Sequence, residues 1–167
     1  PNPVSLPEGA TQQFVAEATF SAGDPQELLW DVIWESDSAN ANVNSAGVAT
    51  FVSAGSVNVT ATFAGVSGSA ALTVEPVLVG IELTASPVHI SQGESAQFTV
   101  AGVYSNGSVS GDITEDSMFS LEPGPITAII SNSPGSKGLL TGVSADGNLL
   151  VTATFGSFTD TYSLAIF

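Results

Sequence analysis

The sequence contains no cysteine and no arginine, and only one lysine (Lys137), one histidine (His89) and one methionine among 167 residues. Without cysteine, neither disulfides nor thiolate metal sites are available. With a single basic side chain against sixteen acidic ones, there is no basic patch for a phosphate backbone. A net charge of −15 repels nucleic acid and anionic lipid alike and argues against both as partners. No apolar run approaches the roughly 20 residues of a membrane-spanning helix, so no membrane insertion by this segment is expected. No signal peptide is recognisable, and the opening Pro1-Asn2-Pro3 suggests a piece of a longer protein. Charged residues make up 10% of the chain, well below the average of about 25%, so Ser, Thr, Asn, Gln and Gly must cover most of the surface. The acidity is read as solubility in a salty or calcium-rich medium, with cation binding as the functional alternative.

What is present is a repeat. Val57-Asn58-Val59-Thr60-Ala61-Thr62-Phe63 returns 92 residues later as Leu149-Leu150-Val151-Thr152-Ala153-Thr154-Phe155, each copy following a glycine, Gly55 or Gly147. Alternation of Val, Ala and Phe with Thr and Asn is the period of a half-buried strand. Pro3-Val4-Ser5-Leu6-Pro7-Glu8-Gly9 likewise returns as Pro87-Val88-His89-Ile90-Ser91-Gln92-Gly93, at an offset of 84 that holds through Gln13-Phe14 and Gln97-Phe98 to Phe20 and Tyr104. In each copy this predicts a turn at the glycine and then a long strand, the second of its domain. The last strands, Ser69 to Val74 and Thr161 to Ile166, keep the offset of 92, with Leu72/Leu164 and Val74/Ile166 as core positions.

Between these landmarks the pattern predicts turns and further strands. Asn106-Gly107 is a hairpin signal, and Phe20 to Pro25 is the corresponding turn of the first copy. Leu28, Trp30, Val32 and Trp34 alternate onto one face and predict the next strand, with Trp30 exposed if that strand begins after it and Trp34 aligned to Phe119 as a core plug. Val43 to Val48 and Ile130 to Leu139 read as hairpins, the second longer, with Lys137 solvated on its tip. Val52-Ser53-Ala54-Gly55 and Val143-Ser144-Ala145-Asp146-Gly147 lead into the two copies of the repeated strand. Val79, Ile81 and Leu83 share one face of a strand that the first copy lacks, so the first domain is expected to miss most of its opening strand. No segment carries a 3.6-residue apolar period. The fold class expected is therefore all-β: two tandem β-sandwiches, residues 1–75 and 76–167, with essentially no helix. The short linker at Glu75-Pro76-Val77 predicts an end-to-end rod with restricted bending.

Candidate sites are few. His89 alternates outward from a predicted strand, with no cleft in prospect for the hydrogen-bonded neighbours that a nucleophile–histidine–acid triad needs. The chain is therefore read as a non-enzyme, with no catalytic residue and no cofactor. Asp112, Glu115, Asp116 and Glu122 form the candidate calcium cluster, which needs six to eight oxygens from a compact loop. Asp31, Glu35 and Asp37 are its first-copy counterpart, and Glu75 and Glu82 a weaker pair beside the linker. None fits the Asp-x-Asx-x-Asx-Gly loop, and carboxylates on a solvated strand edge would also block edge-to-edge pairing. For carbohydrate, Trp30 is the candidate platform, with Tyr104, Tyr162 and Phe158 behind it.

In its ordered motifs the chain resembles the bacterial immunoglobulin-like domains of group 2, the repeats of intimin- and invasin-type surface proteins. The resemblance rests on the opening Pro-x5-Gly with its Gln-Phe strand, Tyr104-Ser105-Asn106-Gly107-Ser108 with Asp112-Ile113-Thr114, Trp34-Glu35-Ser36, the Gly47-Val48 hairpin, and Gly55-x-x-x-Val59-Thr60-Ala61-Thr62. It departs from that pattern in having Phe119 where Trp is usual and a longer loop at Lys137. The resemblance implies immunoglobulin-like sandwiches acting as a non-catalytic spacer in an extracellular or cell-surface bacterial protein concerned with adhesion. It also implies neighbouring immunoglobulin-like domains of the same parent chain as partners, and a host-surface or glycan ligand. The alternative reading is a calcium- or carbohydrate-binding recognition module.

Overall fold

The computed structural model describes residues 4–122, 128–141, 143–144 and 147–167. The readings placed on Pro1-Asn2-Pro3 and on Ala145-Asp146 lie outside them. The chain divides into two compact units between Val77 and Leu78. Among the described residues every regular element is a strand, apart from one 3-10 turn at Thr114–Asp116.

The first unit holds β1 (Val4–Pro7), β2 (Thr11–Gln13), β3 (Ala16–Ala18), β4 (Gln26–Leu28), β5 (Ile33–Ser36), β6 (Ala41–Val43), β7 (Val48–Phe51), β8 (Gly55–Phe63) and β9 (Val66–Glu75). The second holds β10 (Leu78–Ser86), β11 (His89–Ile90), β12 (Ala96–Tyr104), β13 (Val109–Asp112), β14 (Met118–Leu121), β15 (Ile129–Ile130), β16 (Leu139–Thr141), β17 (Gly147–Phe155) and β18 (Phe158–Ile166). One sheet of each unit has the same order, β1-β9-β8-β5 and β11-β18-β17-β14. The register matches too: β1 runs parallel to β9 with Leu6 opposite Val74, and β11 parallel to β18 with Ile90 opposite Ile166. The repeated sequence thus builds a repeated topology, the immunoglobulin-like sandwich.

The organising strands are β8 and β17, each hydrogen-bonded on both sides. Val57 and Val59 of β8 and Leu149, Val151 and Ala153 of β17 are buried, while the residues between them reach the outer face. Leu72, Val74, Leu164 and Ile166 close the same cores from the last strands, as the alternation predicts.

Three strand readings need correction. The second strand of the first unit is broken into β2 and β3 at Phe14-Val15, although its counterpart β12 is continuous. β12 is held over its length by β10, whereas β2 pairs only with β7 and β3 only with β4. The strand expected from Leu28 to Trp34 is also broken. Asp31 turns the chain at φ 61°, in the left-handed region, and the two halves pair with different strands, β4 with β3 and β5 with β8. Finally, Val79 is exposed and does not share the face of Ile81 and Leu83, because a register irregularity between Leu78 and Gly80 rotates it outward.

Candidate functional site

The hairpin that faces the Gln-Phe strand is built identically in both units. Gln13 Nε2 donates to the carbonyls of Phe14 and Ala46, and Phe14 N donates to Gly47 O. Gln97 Nε2 does the same to Phe98 and Lys137, and Phe98 N to Gly138 O. The glutamine is therefore a clamp that holds a hairpin to the strand, which explains its place beside the core phenylalanine. Gly47 and Gly138, at φ 75° and 78°, sit where the hairpin meets Trp34 and Phe119. Trp34 is half-buried against the core and tilts against Phe14 with ring centroids 6.4 Å apart, so the pair of core plugs is as expected. Lys137 is not the solvated tip that the sequence suggests. It is half-buried and its Nζ donates to the carbonyl of Glu115, tying the long hairpin to the 3-10 turn.

The acidic candidates are employed locally. Asp112 Oδ1 accepts from Thr114 N at 2.9 Å, opening the 3-10 turn, and Thr114 Oγ1 in turn accepts from Val100 N at 2.8 Å. Hydrogen bonds from the Thr114 hydroxyl and N–H hold the Asp112 carboxyl below its ordinary value. Glu115 accepts from Gly135 N at 3.2 Å, and Asp116 and Glu122 are exposed. In the first unit Asp37 grips Asn58, accepting from its backbone N at 2.8 Å and its side-chain amide at 2.7 Å, and these bonds lower its pKa. Asp31 and Glu35 point to solvent. Among the described residues, no three His, Asp or Glu side chains gather as metal ligands. Sequence reasoning missed Asn58 and Thr114 as carboxylate partners, although Asp-x-Thr is a recognisable side-chain-to-backbone turn.

His89 is exposed on β11 and meets the ring of Phe167 edge-on, with centroids 5.9 Å apart. Tyr162 packs edge-on against Phe98 in the core, and Phe158 is packed beside it. Trp30 is different: at 72% exposure it stands in the bend beside exposed Leu29 and near exposed Ile33.

A further concavity lies in the first unit, where β3 faces the first half of β9. It is an apolar groove of about 660 Å³, lined among others by Val15, Phe20, Val32, Ala61, Phe63 and Val66.

Residues 1–74 match the family model for the bacterial Ig-like domain (group 2). One sheet of the second unit repeats the strand order of the first. Ice-binding protein 1 of Shewanella frigidimarina (strain NCIMB 400) is 35% identical over 152 residues, covering 90% of this chain and 16% of that protein. The chain therefore spans less than a fifth of that relative's length. Among solved structures, S-layer protein SbsC domains 5-6 align over 99% of this chain and 93% of their own, at 18% identity and a TM-score of 0.43. Human protocadherin-24 EC1-2 aligns over 98% and 93%, at 15% identity and a TM-score of 0.44. No helix among the described residues is long and apolar enough to cross a membrane.

Proposed function

We propose that this chain is a non-catalytic structural segment of a larger extracellular or cell-surface bacterial protein, a spacer of the adhesin type that presents another part of its parent. The observation that carries this reading is the bacterial Ig-like match over residues 1–74, together with the same sandwich built again in the second unit. The likeness to a segment of an ice-binding protein supports it, since a segment of 16% of a long protein is what a reusable module would be. In this reading each sandwich resists unfolding by itself and the acidic surface keeps it soluble.

Pulling the chain between its ends in a single-molecule force experiment tests the idea. Units of 77 and 90 residues should give two separate unfolding steps, with contour lengths of about 280 and about 320 Å before the folded length is subtracted. A single step releasing the whole chain would refute independent modules.

A second reading, glycan recognition, is favoured by the exposure of Trp30. A glycan array with the full chain and Trp30→Ala decides between them. The spacer reading expects no Trp30-dependent signal.

A further inference from the structure

The bend between β4 and β5 is where the two units diverge although the flanking strands correspond. Glu27 of β4 faces Glu17, and Asp112 of β13 faces Ala101, the counterpart of Glu17. Continuing that match carries Leu29, Trp30 and Asp31 onto Thr114, Glu115 and Asp116, and Trp34 onto Phe119. In the second unit this stretch is pinned inward. Thr114 is buried and its Oγ1 accepts from Val100 N at 2.8 Å, while the buried Ser117 donates to Ile113 O at 2.8 Å. Lys137 Nζ adds the bond to Glu115 O. The first unit has Leu29 for Thr114, Val32 for Ser117 and, at the carbonyl clamped by the glutamine, Ala46 for Lys137. Every pin is thereby lost. With β4 held by β3 and β5 by β8, the stretch bows outward through Asp31 at φ 61° and leaves Leu29 and Trp30 exposed. Beside the bend lies a cavity of about 280 Å³, lined among others by Gln13, Val15, Glu27, Trp30, Asp31 and Ser45.

We propose that this cavity is a subsite for an amino sugar, a protonated hexosamine unit of a glycan. The inference rests on the glycan reading of Trp30 and adds the class of sugar. A pyranose lays its apolar face on an indole while its rim needs hydrogen-bond partners. Trp30, with Ser45, Glu27 and Asp31 around the same cavity, supplies both. Charge then selects among sugars. Glu27 and Asp31 are exposed carboxylates, and among the described residues no basic side chain lines the cavity. Glu27 also stands directly opposite Glu17 across the β3–β4 pair, and like charges so placed repel. A bound ammonium relieves that repulsion and is attracted by the indole face as well, whereas a uronate is excluded. Because the carboxylates are solvated, the preference is modest and weakens with salt.

The test titrates the full chain at about pH 6, where carboxylates are ionised and the sugar amine is protonated. The probes are a glucosamine trimer, an N-acetylglucosamine trimer, a galacturonate trimer and choline, followed by NMR shifts of the Trp30 indole N–H and nearby amides. The glucosamine trimer should move these signals, spare the second unit, and bind about three- to tenfold tighter than the N-acetylated trimer. The galacturonate trimer should not bind. Trp30→Ala should abolish binding. Glu27→Gln and Asp31→Asn should each cut the preference about two- to threefold, asparagine being able to keep the left-handed backbone. Leu29→Thr combined with Ala46→Lys restores two of the second unit's pins. It should remove binding without lowering the urea midpoint, which separates loss of the site from loss of the fold. Equal, Trp30-dependent binding of the glucosamine and N-acetylglucosamine trimers would keep glycan recognition and overturn the amino-sugar assignment. No Trp30-dependent shift with any trimer would overturn both. Choline binding as tightly as the glucosamine trimer would show that any organic cation is held there, and would equally overturn the assignment.

Discussion

Asp37 illustrates how little of a carboxylate's role is visible in its sequence position. Read along the chain it belongs with Asp31 and Glu35 as an acidic cluster, yet in the fold it is bound to the backbone and side chain of Asn58, 21 residues away. Both bonds favour the ionised form, so its pKa falls below the unfolded value of 3.8. A group with a depressed folded pKa contributes stability that is complete above its unfolded pKa and is lost as pH falls through the folded one. We therefore expect Asp37→Asn to lower the urea midpoint at pH 7, with the gap to wild type closing as the pH drops below about 3.8. A gap of the same size at pH 7 and pH 2 would mean that the charge on Asp37 contributes nothing. Asp112 should behave likewise, its partner Thr114 being only two residues away. That local pair could be read from Asp-x-Thr alone, whereas the distant pair with Asn58 depends on strand register.

At the level of elements, alternation placed the long strands β8, β9, β12, β17 and β18 and most of their buried side chains, because each has a partner on both sides or a core to face. It failed where a strand's continuity depends on a neighbour: β2 and β3 have the composition of one strand, but among the described residues no strand pairs along the edge that β10 covers in β12. The Leu28–Trp34 stretch failed for another reason, since nothing in its apolar pattern reveals that Asp31 adopts φ 61°. Hairpins were more legible than strands, because their chemistry is local. Gly47 is needed twice over, by its φ of 75° and by a space where a Cβ would lie 2.9 Å from both Phe14 O and Trp34 Cε2. Gly9 has φ 86° but open space around it. Gly9→Ala should therefore cost only the backbone strain, about 1 kcal/mol, and Gly47→Ala about 2–3 kcal/mol. Chemical denaturation of the two variants checks the order. Equal losses would mean that the hairpin shifts freely away from Trp34. Gly138, held between Phe98 and Phe119 at φ 78°, should repeat the Gly47 result in the second unit.

For the molecule as a whole, the duplication was legible and its inequality is the physical finding. Both units share one sheet order, but the second has Ile81 and Leu83 sealed into its core by β10, whereas among the described residues no strand is paired along the matching edge of the first. Burying a side chain of that size stabilises by about 1.5–3 kcal/mol, so β10 contributes about 3–6 kcal/mol from two residues before any hydrogen bond. Single domains are stable by only about 5–15 kcal/mol, so a difference of this size outweighs any surface contact in deciding which unit is weaker. The first unit should unfold first. In native-state hydrogen exchange with rising urea, amides of β8 and β9 should open at lower denaturant than those of β17 and β18, although the sequences of β8 and β17 nearly coincide. If the two sets open together, the burial of Ile81 and Leu83 under β10 gives the second unit no energetic advantage.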